Sequence, residues 1–333
     1  ATLVSIAVTP ATATVPIGFT QTFVATGTYS DGTTVNISNL VAWTSGTPLV
    51  GTVLSPGVAT GVSAGTTTIT AALGGKSGSG TLTVSPELVN LGSAGNFGSF
   101  GGGAGVTNQG TLTVINNGDI GTTGVSTMVT GFHDSTGDKY IETPLNIGDV
   151  KGRVYTAPPP PVIFGPGGPF GGTAETMVIA EAAAADTLTA FNYLKGLPGG
   201  AYAGAGELGG LTLTAGTYTS ATSFQITTGN LTLTGGANDI WVFQMGSSLT
   251  VGAPGLPRNV TLAGGAQAKN VFWQVGSAAR IEDRCNMVGT IISYSGVTIS
   301  TAGQLGLTIL DGRALATNAS VTMVNTIINV PAP

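Results

Sequence analysis

Few residues of this chain could do acid–base, nucleophilic or metal chemistry, and they are scattered. His133 is the only histidine, and the stretch HDSTGD sets it near Asp134 and Asp138. Without a second histidine or a thiol this falls short of a zinc set, and a lone loop histidine supports no Ser-His-Asp arrangement. The segment reads as a surface loop. Cys285 is the only cysteine, so an intrachain disulfide and a multi-cysteine metal site are impossible. It reads as a small buried residue, with an intermolecular disulfide as the alternative. In ARIEDRCN, Glu282 and Asp283 stand between Arg280 and Arg284. That pattern suits a solvated ion-pair cluster or a protein–protein contact rather than a general acid/base pair. The glycine-rich GSFGGGAG (98–105) is not followed by the Lys-Ser/Thr helix of a phosphate loop. No catalytic residue, metal or cofactor is expected.

What the chain has in quantity is threonine in alternation. NLTLTGG (230–236), GGLTLTAGTY (209–218), RNVTLAGG (258–265), GVTIST (296–301) and ASVTMVN (319–325) each place threonine between apolar residues. Side chains alternate between the two faces of a strand. Leu231, Leu233, Val260, Leu262, Phe243 and Phe272 are therefore predicted to be buried, and Thr232, Thr234 and Thr261 to be exposed on one face. Stacked strands would turn such threonines into a stiff grid of methyls and hydroxyls, ordered beforehand by the restricted χ1 of a β-branched residue. The candidate binding face carries Thr212, Thr214, Thr232, Thr234 and Thr261. A neighbouring face carries Thr227, Thr250, Thr298, Ser300 and Thr322.

The elements that must position these residues follow from the punctuation. Beyond residues 85–90 the glycine content rises, and strand-like pieces of five to seven residues are separated by glycine corners. They fall into a three-beat cycle, two threonine-bearing pieces and then an aromatic or aliphatic one (WVFQM, VFWQV, TIISY, RALAT). Repeats of one unit imply a solenoid in which each coil buries its inner face against its neighbours, which predicts a three-sided β-solenoid over 88–330. One segment breaks the cycle. Residues 174–195 read as a helix, with Met177, Ala180, Ala184, Leu188, Phe191 and Leu194 as its apolar stripe. Thr173 is the expected N-cap, and Gly196, Pro198 and Gly199 stop it. The stripe is expected to dock on the aromatic third pieces. Within an insertion spanning 129–172, YTAPPPPVIFGPGGPFGG (155–172) reads as a stiff connector, with a proline-ligand role as the alternative.

Residues 1–86 carry a different pattern, short strands with turn signals such as Asp31-Gly32, which suits an antiparallel sandwich. SPELVN (85–90) marks the boundary, and the second domain runs over 87–333. Only 8% of residues are charged and the net charge is −5, which argues against nucleic acid or an anionic membrane surface as partner. No apolar run reaches the length of a spanning helix. The opening ATLVSIAV reads as a mature form after signal removal, hence a secreted, extracellular or cell-surface protein.

Two resemblances cover the chain. TPATATVPIGFTQTFVATGTYSDGT, Trp43 in VAWTSG, and GVATGVSAGTTTITA make residues 2–85 resemble a bacterial immunoglobulin-like domain of group 2, a spacer or adhesive module. LGSAGNF (91–97), NNGDIGTTG (116–124), AAAADTLTAFNYL (182–194), ELGGLTLTAGTY (207–218), DIWVFQMGSSLT (239–250), GGAQAKNVFWQVGSAA (264–279), GTIIS (289–293) and DGRALATNASVTM (311–323) make the remainder resemble the microbial ice-binding family. That resemblance implies a mainly β, right-handed, three-sided, discontinuous β-solenoid with one long helix alongside. It also implies a non-enzymatic protein that binds ice on one flat face, often through Thr-Ala/Gly-x-Thr/Asn steps. Thr214-Ala215-Gly216-Thr217 fits such a step. Thr234-Gly235-Gly236-Ala237 and Thr301-Ala302-Gly303-Gln304 fit in part, so Thr217 and Thr301 join the candidates. The corresponding step Asp283-Arg284-Cys285-Asn286 departs from the pattern. Two functions are expected from this. One is ice or ordered-water binding by a secreted protein. The alternative is an extracellular structural protein whose copies self-assemble, with Arg280, Glu282, Asp283 and Arg284 as the contact.

Overall fold

Alternating apolar and threonine positions separated by glycine corners produce short parallel strands that stack coil on coil. The computed structural model describes residues 1–16, 20–85, 89–159, 171–197, 199–200, 204–301 and 303–332. Two compact units are present, Ala1–Leu88 and Val89–Pro333. The expected boundary between 86 and 87 lies outside the described residues, as do residues 160–170 of the proline-rich connector.

The first unit is all β, with a core of Ile6, Val8, Phe23, Ala25, Ile37, Ile69, Leu82 and Val84. Val24–Tyr29 and Thr34–Asn36 pair antiparallel across the Asp31-Gly32 turn. The sandwich is not wholly antiparallel. Leu3–Thr9 joins one sheet, and Thr12–Pro16 pairs in parallel with Lys76–Ser85 in another. Pro10 has no N–H for a ladder, so the chain changes sheets there.

The second unit is mainly β, β-solenoid-like, with one long helix. Three parallel ladders carry it. The first, on the helix side, stacks Gly216–Ser220, Trp241–Met245, Val271–Val275, the C-terminal halves of Asn286–Ser293 and Thr308–Ala316, then Phe97–Gly101, Asp119–Val125 and Val154–Ala157. The second is a seven-stranded sheet of Phe224–Ile226, Leu249–Val251, Ala279–Ile281, Val297–Ile299, Val321–Met323, Val106–Asn108 and Val129–Thr130. The third begins with Thr212–Leu213, Leu231–Thr234 and Val260–Ala263 and continues through the N-terminal halves of Asn286–Ser293 and Thr308–Ala316 to Thr326–Asn329 and Thr113–Asn116. The stack is therefore discontinuous in sequence, since strands from 97–157 continue where those from 308–329 end. Gly289 and Gly312 pair where the two long strands turn from the third ladder to the first. Gly289 has φ 103°, and a Cβ on Gly312 would run into the Gly289 carbonyl, so the corner needs glycine.

Inward side chains fill the coils: Leu231, Leu233, Val260, Phe243 and Trp273 are buried, with the Phe243 and Trp273 rings stacked 4.0 Å apart. The expected register is right, with three refinements. Of the threonines expected to be exposed, Thr261 is, while Thr232 and Thr234 are half-buried. Leu262 is only partly buried. Phe272 is buried on the outer side of its strand, against the helix.

The helix is Ala174–Gly196, capped by a reciprocal Thr173–Thr176 pair of hydrogen bonds. Its buried face is Ala180, Ala183, Thr187, Ala190, Phe191 and Leu194, packed with Val242, Phe272, Ile292 and Leu315 of the first ladder. The expected stripe is corrected at Leu188, which is 46% exposed. The face advances by three and four residues through the small Ala183, Thr187 and Ala190, which allow close approach. The Thr187 hydroxyl is satisfied by the Ala183 carbonyl at 2.7 Å, so a polar residue holds a core position.

Candidate functional site

The second ladder presents one outward residue from the middle of each strand. In spatial order these are Gln225, Thr250, Arg280, Thr298, Thr322, Thr107 and, on the two-residue strand, Thr130. Their neighbours on each strand are buried: Leu249 and Val251, Val297 and Ile299, Val321 and Met323, Val106 and Asn108. Apolar-Thr-apolar triplets make this geometry, because both flanking residues point into the coil. The residues one position before the strands are mostly small, namely Ser223, Ser248, Ala278, Gly296, Ser320 and Gly105, so little stands above the sheet on that side. The hydroxyls of Thr250, Thr298, Thr322, Thr107 and Thr130 have no hydrogen-bond partner among the described residues. They are half-buried side chains whose polar atoms are left for water.

Arg280 interrupts this row. Its guanidinium does not stand away from the surface. Nε donates to Glu282 Oε1 at 2.6 Å, and Nη2 donates to Glu282 Oε2 at 3.2 Å and to Thr301 Oγ1 at 2.6 Å. Arg284 pairs separately, Nε to Asp283 Oδ2 at 2.9 Å. The expected solvated cluster is thus corrected. Both carboxylates are buried, Glu282 at 6% and Asp283 at 2% exposure, and each is closed by an arginine lying over it. A buried carboxylate needs such partners.

The third ladder gathers five of the expected threonines. Thr212, Thr232 and Thr261 are in register, with Thr214 and Thr234 two residues further along their chains. Thr232 and Thr261 share a hydroxyl–hydroxyl hydrogen bond of 3.1 Å. Beyond this third strand the outward positions change character, to Asn286, Ile309 and Ile327 in one column and Asp311 and Asn329 in the next. Thr217 and Thr301 are not on this face. Thr217 is on the helix-side ladder opposite Val242, and Thr301 follows the second ladder, bound to Arg280. Thr227 holds Glu207, and Ser300 is buried at φ 65°.

The remaining chemistry-bearing residues serve the fold. His133 Nδ1 lies 2.6 Å from Glu142 Oε1. Asp134 accepts from the Thr136 N–H and hydroxyl and from the Val154 N–H, which ties its turn to a neighbouring strand. Among the described residues no three His, Cys, Asp or Glu side chains converge on a metal position, and no helix is long and apolar enough to cross a membrane. Cys285 is fully buried, and burial pushes its thiol above the ordinary range.

Sequence reasoning missed Thr107 and Thr130. They stand about 200 residues upstream of the strands they extend, and only the discontinuous stacking unites them. The signal was present as the shared triplets LTV, VTI, VTM and VTN.

Comparison with known proteins gives the same picture. Residues 100–329 match the family model described as ice-binding-like, and residues 3–84 match the bacterial Ig-like domain of group 2. Ice-binding protein 1 of Shewanella frigidimarina is 32% identical over 97% of this chain, which spans only 36% of that protein's length. An ice-binding protein of a Nostoc species is 34% identical over 70% of this chain and 71% of its own length. Among solved structures, a glycosylated ice-binding protein from an Arctic yeast superposes with a TM-score of 0.60 at 29% identity, over 74% of this chain and 96% of its own. The family is one of ice-binding proteins rather than enzymes. A stacked, discontinuous β-fold with one helix, matched by a family model across most of its second unit and preceded by an Ig-like unit, thus makes this chain a member of the ice-binding-like family.

Proposed function

We propose that this chain binds ice, or the ordered water at its surface, through the second ladder of a right-handed, three-sided solenoid. The observation that carries this reading is the run Thr298, Thr322, Thr107 and Thr130, with Thr250 beyond Arg280, all outward, in register and with hydroxyls that have no partner among the described residues. Parallel strands lie about 4.8 Å apart, and threonine holds its χ1. The methyls and hydroxyls are therefore ordered before they meet a ligand, which lowers the entropic cost of binding. Ice is an extended lattice, and a rigid row several coils long is the kind of surface that can match one. The names of the relatives support the same ligand.

The third ladder is the second reading. Thr212, Thr214, Thr232, Thr234 and Thr261 form a compact patch, but it is three strands long, and Thr232 and Thr261 bond to each other. In this proposal the protein acts outside the cell or at its surface, with the Ig-like unit as spacer. The self-assembly alternative drew on Arg280, Glu282, Asp283 and Arg284. These close on one another within the chain, which favours ice as the partner.

The test is Thr322→Tyr, which raises a ring in the middle of the row. Ice recrystallisation inhibition and crystal shaping are expected to be lost while the circular dichroism spectrum and melting temperature stay as in the wild type. Full activity in a folded variant would move the site to the third ladder.

A further inference from the structure

We infer that the groove between the C-terminal half of the helix and the first ladder is a binding site for a neutral pyranose saccharide. The groove has a volume of about 500 Å³ and is bounded by Leu188 and Phe191 of the helix and by Thr219, Gln274, Met245 and Tyr294 of the coils. That is within the size of ordinary small-ligand sites, roughly 300–1,000 Å³.

The residue that points to a ligand is Gln274. It is 3% exposed, and its side-chain amide has no hydrogen-bond partner among the described residues. Its neighbour in register, Gln244, shows what a satisfied amide looks like in the same outward column. Gln244 Nε2 donates to the carbonyls of Leu194 and Leu197 at 2.6 and 3.0 Å, and its Oε1 accepts from the Thr219 hydroxyl at 2.9 Å. Gln244 therefore closes the end of the helix. Gln274, one coil further on, has no such task and lines the groove instead. The Gln274 amide is not among the sealed side-chain groups that lack a partner, so it is open to the groove it lines, where the hydroxyls of a ligand can take the place of water.

A residue of the next coil on the same wall sets the ligand class. Tyr294 is 51% exposed, and its ring packs 6.0 Å from that of Phe191. Its backbone is held on both sides, the N–H by the Val275 carbonyl and the carbonyl by the Thr317 hydroxyl and the Asn318 amide. A fixed, half-exposed aromatic ring is a platform for the C–H face of a sugar. An amide that both donates and accepts suits a pair of vicinal hydroxyls. Among the described lining residues the one charged side chain, Lys195, is exposed, so none of them demands an ionic ligand. The groove lies on the helix side, away from the threonine row, and this inference does not rest on ice binding.

The test is nuclear magnetic resonance titration of the whole chain with glucose, galactose, mannose and N-acetylglucosamine. At least one sugar should move the Gln274 side-chain amide and Tyr294 ring signals saturably, with a midpoint in the millimolar range. Gln274→Leu and Tyr294→Ala should each weaken binding roughly tenfold while melting and ice recrystallisation inhibition are unchanged. Tyr294→Ala, at an exposed position, keeps the test valid should Gln274→Leu fail to fold. Absence of a saturable shift at Gln274 with all four sugars would overturn the inference. So would binding that neither substitution weakens.

Discussion

Arg280 lies flat across the outer row of the second ladder, with both oxygens of the buried Glu282 carboxylate in hydrogen-bond reach and Thr250 and Thr298 on the strands to either side. The pair thus divides a threonine row into Thr250 on one side and Thr298, Thr322, Thr107 and Thr130 on the other. It occupies the place a threonine would take in an unbroken row.

Replacing the arginine alone would expose the cost of the carboxylate beneath it. Arg280→Thr should lower stability by about 1–3 kcal/mol, because Glu282 keeps its burial and loses its partner. The double variant Arg280→Thr with Glu282→Gln should recover part of that loss. It should also inhibit ice recrystallisation more strongly than the wild type, since the row becomes continuous. Weaker activity in a stable double variant would mean that Arg280 itself takes part in binding.

Phe191 is the largest side chain on the buried face of the helix. It is 3% exposed and lies in the same cluster as Phe272, Ile292 and Leu315. Phe191→Ala should cost about 3–5 kcal/mol, the usual loss for a buried ring. A surface threonine such as Thr298→Ala should stay within about 0.5 kcal/mol. Chemical denaturation followed by circular dichroism reads both, and a midpoint unchanged in the Phe191 variant would show the helix to be peripheral to stability.

Glu207 makes the first coil sensitive to acid. Partial burial pushes its carboxyl up, but the Thr227 hydroxyl and the Thr227, Gly209 and Thr228 N–H groups outweigh this and hold it below the usual glutamate range. A carboxyl lowered in the folded state gives its stabilisation in full above its unfolded value and loses it as pH falls through the folded one. Stability should therefore decline below the ordinary glutamate range. Glu207→Gln should be less stable than the wild type at neutral pH, and the gap should narrow in acid. Melting curves across that range measure it, and parallel pH profiles for the two proteins would remove Glu207 as the cause.

The alternation around glycine corners made Leu231, Leu233, Val260 and Phe243 legible as core, because period two leaves one register when one face is buried. The helix was legible for the same reason at another period. Its docking face was read wrongly at Leu188, since a large apolar residue at helical spacing attracted the assignment while the contact beside it is made by Ala183, Thr187 and Ala190. Arg313 was hidden altogether. It sits in the apolar-looking RALAT, is 4% exposed, and donates to the carbonyls of Gly95 and Pro331. Those partners are about 218 and 18 residues away in sequence, and no local pattern announces them. The functional row was legible as triplets but not as a row, because its order in space is not its order in the chain.

That difference bears on which face meets ice. A reading by proximity in sequence favours Thr212, Thr232 and Thr261, which come from three successive pieces. A reading by stacking favours Thr298, Thr322 and Thr107, although Thr107 comes from the start of the unit. Hydrogen bonding separates them. The Thr261 hydroxyl lies 3.3 Å from the Leu231 carbonyl and 3.1 Å from the Thr232 hydroxyl, so this pair has less to give an ordered water. Thr232→Tyr should therefore leave crystal shaping close to wild type, while Thr298→Tyr, Thr322→Tyr and Thr107→Tyr should each abolish it. The Thr107 variant is decisive, because only the discontinuous stack puts that residue in the same row as Thr322. Loss of activity in Thr107→Tyr with an unchanged melting temperature would tie the function to the second ladder. Loss in Thr232→Tyr with retention in Thr107→Tyr would assign it to the third.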